Sequence, residues 1–539
     1  MIKILAENPL ILLFAVASLG FLLGKLRFLG GALGVSAVLF VGLVLGALDP
    51  SLQIPNVIFL LGLSLFIYSV GLNSGPAFFD SYRRNGLRDI WFALGMLSFS
   101  GILAVGLAFL MGFDGPTIGG IYAGSVTNTP ALASMIEYAG NTWPAESSSI
   151  TESIVVGFSW SYPMGVLGGI IGIALFSRLF KIDFKKEAYG LRHEYPVEQD
   201  LTSATIDVTN VEVSNMRLRQ LFKQHAWNVV FGRVYHDGEV NLAGWDDRLR
   251  TGDTVMVVGS RESVNEVIDA LGQRSNTQLE HDRAIYDTRR IFVSNRDLAG
   301  KSLASLQIHE KFHAVITRIR RGDVDMLAKG ETVLEIGDRI RFIAKREDLN
   351  ALSEFFGDSY QASSRVDLFS FGLGLSLGLL IGLIEFPIGG VNFKLGFAGG
   401  PLIVGLILGT LRRTGPIIWN LSYSANVTIQ QLGLILLLSA IGVRAGNAFI
   451  ESVSPEGLQF FAASALISCV TAFATLLIGY KVFKKPFAIL AGMVANQPAI
   501  LDFAVTRCGN RLPVFGFATV FPIAIIVKIV IAQLLLVFL

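Results

Sequence analysis

The chain has 539 residues, 52% of them hydrophobic and 16% charged, with 57 glycines and a mean hydropathy of +0.57. A soluble domain carries about 25% charged residues. Here the shortfall is confined to two stretches, since residues 1–181 and 365–539 hold 16 charged side chains each against 54 in 182–364. That excludes a soluble enzyme and a single-span receptor and describes a polytopic membrane protein with a soluble insert, whose net charge of +2 offers no basic footprint for nucleic acid.

In the first apolar block, residues 1–181, hydropathy places spans near 8–24, 31–48, 56–75, 88–112 and 152–178. The first reads as a retained span, because one lysine precedes Pro9 and no small-residue cleavage site follows. Segment 119–139 is only half apolar and is broken by Pro130. Such a segment suits a re-entrant hairpin, where broken backbone lines a buried cavity. In Ser125–Val126–Thr127–Asn128–Thr129–Pro130, Thr129 reads as the N-cap and Pro130 as the first residue of a helix starting at the hairpin tip.

Residues 204–272 and 284–357 read as two similar modules of alternating strands and helices. Each ends in a Gly-Asp turn before a β-branched run: Gly252–Asp253–Thr254–Val255–Met256–Val257 and Gly337–Asp338–Arg339–Ile340–Arg341–Phe342. Neither has a G-x-G-x-x-G or Walker A motif. ATP-driven transport is therefore not expected, and no cofactor is implied. All six histidines lie between the apolar blocks, and both cysteines, Cys469 and Cys508, lie in the second, which excludes a disulfide framework.

The second block, residues 365–539, repeats the plan, with spans near 366–385, 396–411, 427–446, 457–480 and 512–538 and a hairpin at 486–505. Leu61–Ser81 matches Leu432–Ser452 at nine of 21 positions, and Ala123–Leu132 matches Ala491–Ile500 at six of ten. Gly42 and Gly46 correspond to Gly405 and Gly409. Five spans per half is an odd number, so the second half is expected upside down, the inverted-repeat plan of secondary transporters. Basic residues after spans 1, 3, 5, 7 and 9 put the insert in the cytoplasm and both termini outside a bacterial inner membrane.

Helix N-termini at Pro130 and Pro498 suit an anion. Ser125, Thr127, Asn128, Thr129, Asn496 and Gln497 would add neutral hydrogen bonds. Intramembrane charges are functional candidates. Arg444, late in span 8, offers a planar fork to a carboxylate, and its repeat mate is Asn73. Asp502 is a candidate for ion pairing, with Arg507 or Arg444, or for coupling to a proton or cation; Lys528 lies mid-span.

The GD-x-[VI]-x-[VF] endings resemble the TrkA-C module of potassium-conductance regulators, which implies dimerisation or binding of a small effector. With Gly124–Ser125–Val126–Thr127–Asn128–Thr129–Pro130–Ala131–Leu132 and Gln497–Pro498–Ala499, the whole chain resembles the aspartate–alanine exchanger family. The resemblance implies a homodimeric secondary carrier of small carboxylates: aspartate and alanine, succinate, or glutamate. The family's exchangers carry an arginine where this chain has Asn73, so amino-acid exchange and dicarboxylate export both stay open. The alternative class is a cation transporter or channel regulated by the modules. The expected fold is thus a polytopic all-α membrane protein of two inverted repeats, each of about five spans plus a hairpin, around an inserted α/β pair of TrkA-C-like modules.

Overall fold

The computed structural model describes residues 2–25, 27–28, 31–32, 34–85, 87–191, 201–277, 279, 285–322, 324–361, 366–388, 391–451, 455–495, 497–510 and 512–539. The chain divides into two compact units. One comprises 1–197, 368–411 and 426–539; the other comprises 198–367 and 412–425.

The first unit is helical. Its first half contains α1 (Pro9–Gly24), α2 (Ala37–Gly46), α3 (Asn56–Asn85), α4 (Arg88–Met111), α5 (Gly115–Ser125), α6 (Thr129–Thr142), α7 (Ser147–Leu179) and α8 (Phe184–Leu191). Local chemistry sets several ends. Asp114 caps α5 by accepting from Thr117 N–H at 3.1 Å. Gly112, at φ +72°, closes α4 in the left-handed region that favours glycine.

The insert holds two larger antiparallel sheets and a short pairing of Met216–Arg217 with Arg248–Leu249. In the first module, β1 (Leu201–Val208), α9 (Leu218–His225), β2 (Val229–His236), β3 (Glu239–Leu242), β4 (Thr254–Ser260), α10 (Arg261–Leu271) and β5 (Gly272–Arg274) give the strand order β3-β2-β4-β1-β5. In the second, β6 (Tyr286–Phe292), β7 (Val315–Arg321), β8 (Val324–Leu327), β9 (Arg339–Lys345) and α11 (Leu349–Phe356) give β6-β9-β7-β8. The modules repeat each other closely: the register shift between Phe231 and Arg233 in β2 recurs between Ile316 and Arg318 in β7. Met256, Val258 and Leu242 of one sheet and Leu327 and Ile343 of the other share one apolar cluster, so the modules pair within the chain.

The second half of the helical unit contains α12 (Leu368–Gly382), α13 (Gly396–Leu411), α14 (Tyr423–Arg444), α15 (Pro455–Lys481), α16 (Phe487–Val494), α17 (Pro498–Cys508) and α18 (Leu512–Phe538). Among the described residues, six helices are long and apolar enough to cross a membrane: Asn56–Pro76, Arg88–Met111, Ser147–Leu179, Tyr423–Arg444, Pro455–Lys481 and Leu512–Phe538. The spans expected at 8–24, 31–48, 366–385 and 396–411 are shorter apolar helices. The ten residues of α2 rise only about 15 Å, half the hydrocarbon thickness.

Glycines bring the two halves together, and they do so in repeat-related pairs. A Cβ on Gly42 of α2 would stand 3.0 Å from Gly442 Cα of α14, and one on Gly405 of α13 would stand 3.1 Å from Gly71 Cα of α3. Gly42 and Gly405 are mates in the repeat, as are Gly71 and Gly442. Gly46 likewise meets Val443 while its mate Gly409 meets Leu72. Gly62 meets its own mate, Gly433: their added Cβ atoms would lie 2.7 Å and 2.8 Å from the other's carbonyl oxygen. The helices touch backbone to backbone, the packing small residues permit in a membrane.

Candidate functional site

Both broken segments are helix pairs. The first breaks between α5 and α6, where Thr127 takes φ +49°. Asn128, not Thr129, is the N-cap of α6: its Oδ1 accepts from Ala131 N–H at 3.2 Å, and Thr129 and Pro130 form the first turn. Asparagine and threonine cap about equally well, so the sequence alone left the boundary one residue late. The second breaks between α16 and α17, with Gln497 at the N-cap position and Pro498 in the first turn of α17. Asn496 lies outside the described residues.

Helix α7 joins the two tips. Tyr162 hydroxyl donates to Gln497 Oε1 at 3.0 Å. One turn on, a Cβ at Gly165 would stand 2.3 Å from Gly124 O and 2.9 Å from Ser125 O, and one at Gly169 would stand 2.9 Å from Ile500 of α17. Ser125 Oγ lies 2.6 Å from Ile121 O and 3.0 Å from Ser464 Oγ of α15, its one proton serving either, and Ser464 Oγ donates to Ser161 O at 2.8 Å. Thr127 is buried, and its Oγ1 finds no partner among the described residues. A small cavity of about 60 Å³ is lined by Ser125 and Val126 of the first tip, Met493 and Val494 of the second, and Ser468, Thr471 and Thr475 of α15.

Arg444 lies elsewhere. It is exposed at the end of α14 and lines a cavity of about 780 Å³ together with Glu152, Thr151 and Ser148 of α7, Gln53, and Asn447. None of the described tip residues is among those lining it. Thr151 is buried in this wall, and its hydroxyl has no hydrogen-bond partner among the described residues. Asn73, the mate of Arg444, is exposed on α3, and Asp502 is exposed on α17. Arg507 donates to Ser177 Oγ at 3.3 Å.

Three charged groups at helix ends carry signals the sequence did not show. The Glu137 carboxylate, on α6, accepts from Phe397 N–H at the start of α13 at 2.9 and 3.0 Å. The Glu187 carboxylate, on α8, accepts from Phe487 and Ala488 N–H at the start of α16; burial raises its pKa, and these hydrogen bonds pull it back in part. Lys485 pairs with buried Asp89 at the start of α4. Lys528 Nζ donates to Val126 O, in the first tip, at 3.2 Å.

In the insert, both Gly-Asp turns place a buried aspartate against the end of a hairpin strand. His236 Nδ1 lies 2.5 Å from Asp253 Oδ1. At the matching position Arg321 donates to Asp338 at 2.8 and 2.7 Å and to Glu335 at 2.7 Å. Burial alone would lower the Arg321 pKa, but Asp338 and Glu335 outweigh it and hold it above its ordinary value. Burial raises that of Glu335 against the pull of Arg321 and Arg412. The segment 412–425, continuous with α13 and α14, docks here: Arg412 pairs with Glu335 at 3.6 Å, and Arg413 donates to the carbonyls of Asp297 and Ala299 at 3.2 and 3.4 Å.

The family model described as a predicted permease membrane region, that of the aspartate–alanine exchangers, matches residues 12–178 and 370–537. The chain belongs to this exchanger family. The TrkA-C domain model matches residues 288–357 of this family member. An uncharacterized transporter of Geobacter sulfurreducens is 45% identical over 99% of both chains. Others from Symbiobacterium thermophilum and Corynebacterium glutamicum are 40% and 38% identical, again over 99% of each. Among solved structures, the GsuK RCK domain aligns with 30% of this chain and 64% of its own at 8% identity and a TM-score of 0.16. This exchanger-family chain is therefore a multi-pass membrane transporter with a TrkA-C domain.

Proposed function

We propose that the protein is a secondary, alternating-access carrier of small carboxylates, C4 dicarboxylates or acidic amino acids, held between the two hairpin tips. The observation that carries this reading is the meeting of both tips on α7, through Gly165 at one and Tyr162–Gln497 at the other. Both α6 and α17 begin at this junction, so two helix N-termini turn partial positive charge toward an anion. Thr127 Oγ1, unpartnered among the described residues, is a hydrogen-bonding position in the same turn, and Ser125, Asn128, Thr129 and Gln497 are neutral donors and acceptors. Arg444, in the larger cavity, would take a carboxylate on its way to the tips. The basic loops support a cytoplasmic insert, outside termini and halves of opposite orientation. A homodimer and a small effector on the modules belong to the same proposal.

Ligand-dependent melting of the purified protein tests it. A ligand at 100 times its Kd stabilises the folded state by about 2.7 kcal/mol. Succinate, aspartate or glutamate should raise the melting temperature, and their uncharged diamide analogues should not. Equal response to acid and diamide would remove the carboxylate reading. Stabilisation by potassium or sodium alone would favour the cation-transporter alternative.

A further inference from the structure

The first tip contains a C-terminal helix end as well as an N-terminal one. Helix α5 stops at Ser125, where Tyr122 O, Ala123 O and Gly124 O accept from Val126, Asn128 and Thr127 N–H at 3.0, 2.8 and 2.9 Å within the turn, and this helix end carries partial negative charge. In carriers built on broken helices, such ends and the unwound carbonyls beside them hold the coupling sodium ion or proton. Here an ammonium group of the chain itself reaches that position. Lys528 lies mid-way along α18, is 3% exposed, and donates to Val126 O at 3.2 Å. The same turn of α18 fixes the far side of the break, Ile525 O accepting from Asn128 Nδ2 at 3.4 Å. The tip is thus seated on one lysine and one carbonyl of α18.

The repeat makes the placement one-sided. Pro163 of α7 and Pro522 of α18 are mates, so Gly169 stands where α18 has Lys528. Gly169 meets the side chain of Ile500. The second tip receives an apolar contact where the first receives a cation.

We propose that Lys528 is a tethered cation that takes, at the first tip, the place of the monovalent ion a broken helix end otherwise recruits, so that the carrier works without sodium. An ammonium group and a sodium ion carry the same charge and seek the same oxygen ligands. The proposal rests on the reading of the tips as the transport site.

The test uses the full-length wild type, Lys528→Arg and Lys528→Ser, reconstituted in proteoliposomes, with labelled succinate and aspartate counterflow in sodium, potassium or choline chloride. Melting of each purified protein is measured in the same salts. Wild-type rates should agree within about twofold in all three salts, since the ion is built in. Lys528→Arg should keep this indifference. Lys528→Ser should be at least tenfold slower in choline than in sodium and should melt higher in sodium than in choline. A wild type that needs sodium, or a folded Lys528→Ser indifferent to sodium in both rate and melting, overturns the proposal. If wild type moves neither carboxylate, the carboxylate reading fails. Lys528 is then judged on melting alone, where a sodium-stabilised wild type, or a sodium-blind Lys528→Ser, refutes it.

Discussion

Replacing Gly62 by alanine tests the packing of the two halves where two repeat mates meet. The new Cβ would lie 2.6 Å from Leu437 N and 2.7 Å from Gly433 O, both backbone atoms that no rotamer change can move. Helices α3 and α14 must separate, and overpacking of this kind costs about 1–3 kcal/mol. Gly433→Ala places a Cβ 2.5 Å from Phe66 N on the same contact and should cost as much. One separation relieves both clashes, so the double variant should cost clearly less than the sum, a coupling of about 0.5 kcal/mol or more. Gly95 and Gly106 of α4 are the controls, since an added Cβ there meets nothing within 4 Å. Alanine at either should be neutral or stabilise by up to about 1 kcal/mol through helix propensity. Scanning fluorimetry of the detergent-purified proteins ranks all five. Gly62→Ala as stable as wild type, or strict additivity of the pair, would refute the backbone contact between repeat mates.

Four further outcomes are expected. Asp89→Asn leaves the Lys485 ammonium without its carboxylate partner and should cost about 3–5 kcal/mol in melting experiments, whereas Asp89→Leu with Lys485→Met should recover most of that. Glu187 has a pKa raised above the usual 4.5, so the folded state holds its proton more tightly than the unfolded one. Relative to Glu187→Gln, wild-type stability should therefore fall as pH rises from about 4.5 through the raised value, in a pH series of melting curves. Asp338→Ala strands Arg321 beside Glu335 and should open the second module to limited proteolysis, at a cost of about 3–5 kcal/mol. Arg444→Lys keeps the charge and loses the planar fork; if Arg444 takes a carboxylate, binding should weaken about tenfold, and unchanged affinity would remove Arg444 from the pathway.

Much of the helical unit was legible because hydropathy and proline act locally. Six of the ten expected spans, the two broken segments and the Gly42–Gly46 and Gly405–Gly409 pairs are all short-range patterns. What the sequence hid depends on partners far along the chain. Lys528 bonds a carbonyl 402 residues away, and a backbone acceptor leaves no mark in the side-chain pattern. Glu137 passed unnoticed for the same reason, its partner being the N–H of Phe397. The separation of Arg444 from the tips was equally unreadable. Its repeat mate and its charge were visible, but not that α14 ends beside the wall formed by Glu152 and Thr151. In the insert, Arg321 and His236 occupy equivalent strand ends against equivalent aspartates, a correspondence that only the matched register shifts reveal.

Counterflow in proteoliposomes tests the central claim most directly. Vesicles loaded with unlabelled succinate, aspartate, alanine or glutamate would be diluted into trace label of each, with wild type, Thr127→Val and Gln497→Leu compared. Saturable uptake of at least one labelled carboxylate, dependent on a loaded carboxylate and weakened by both tip substitutions in folded protein, is the expected result. Uptake of no carboxylate by monodisperse wild type, with rubidium or sodium flux in the same vesicles, would contradict it.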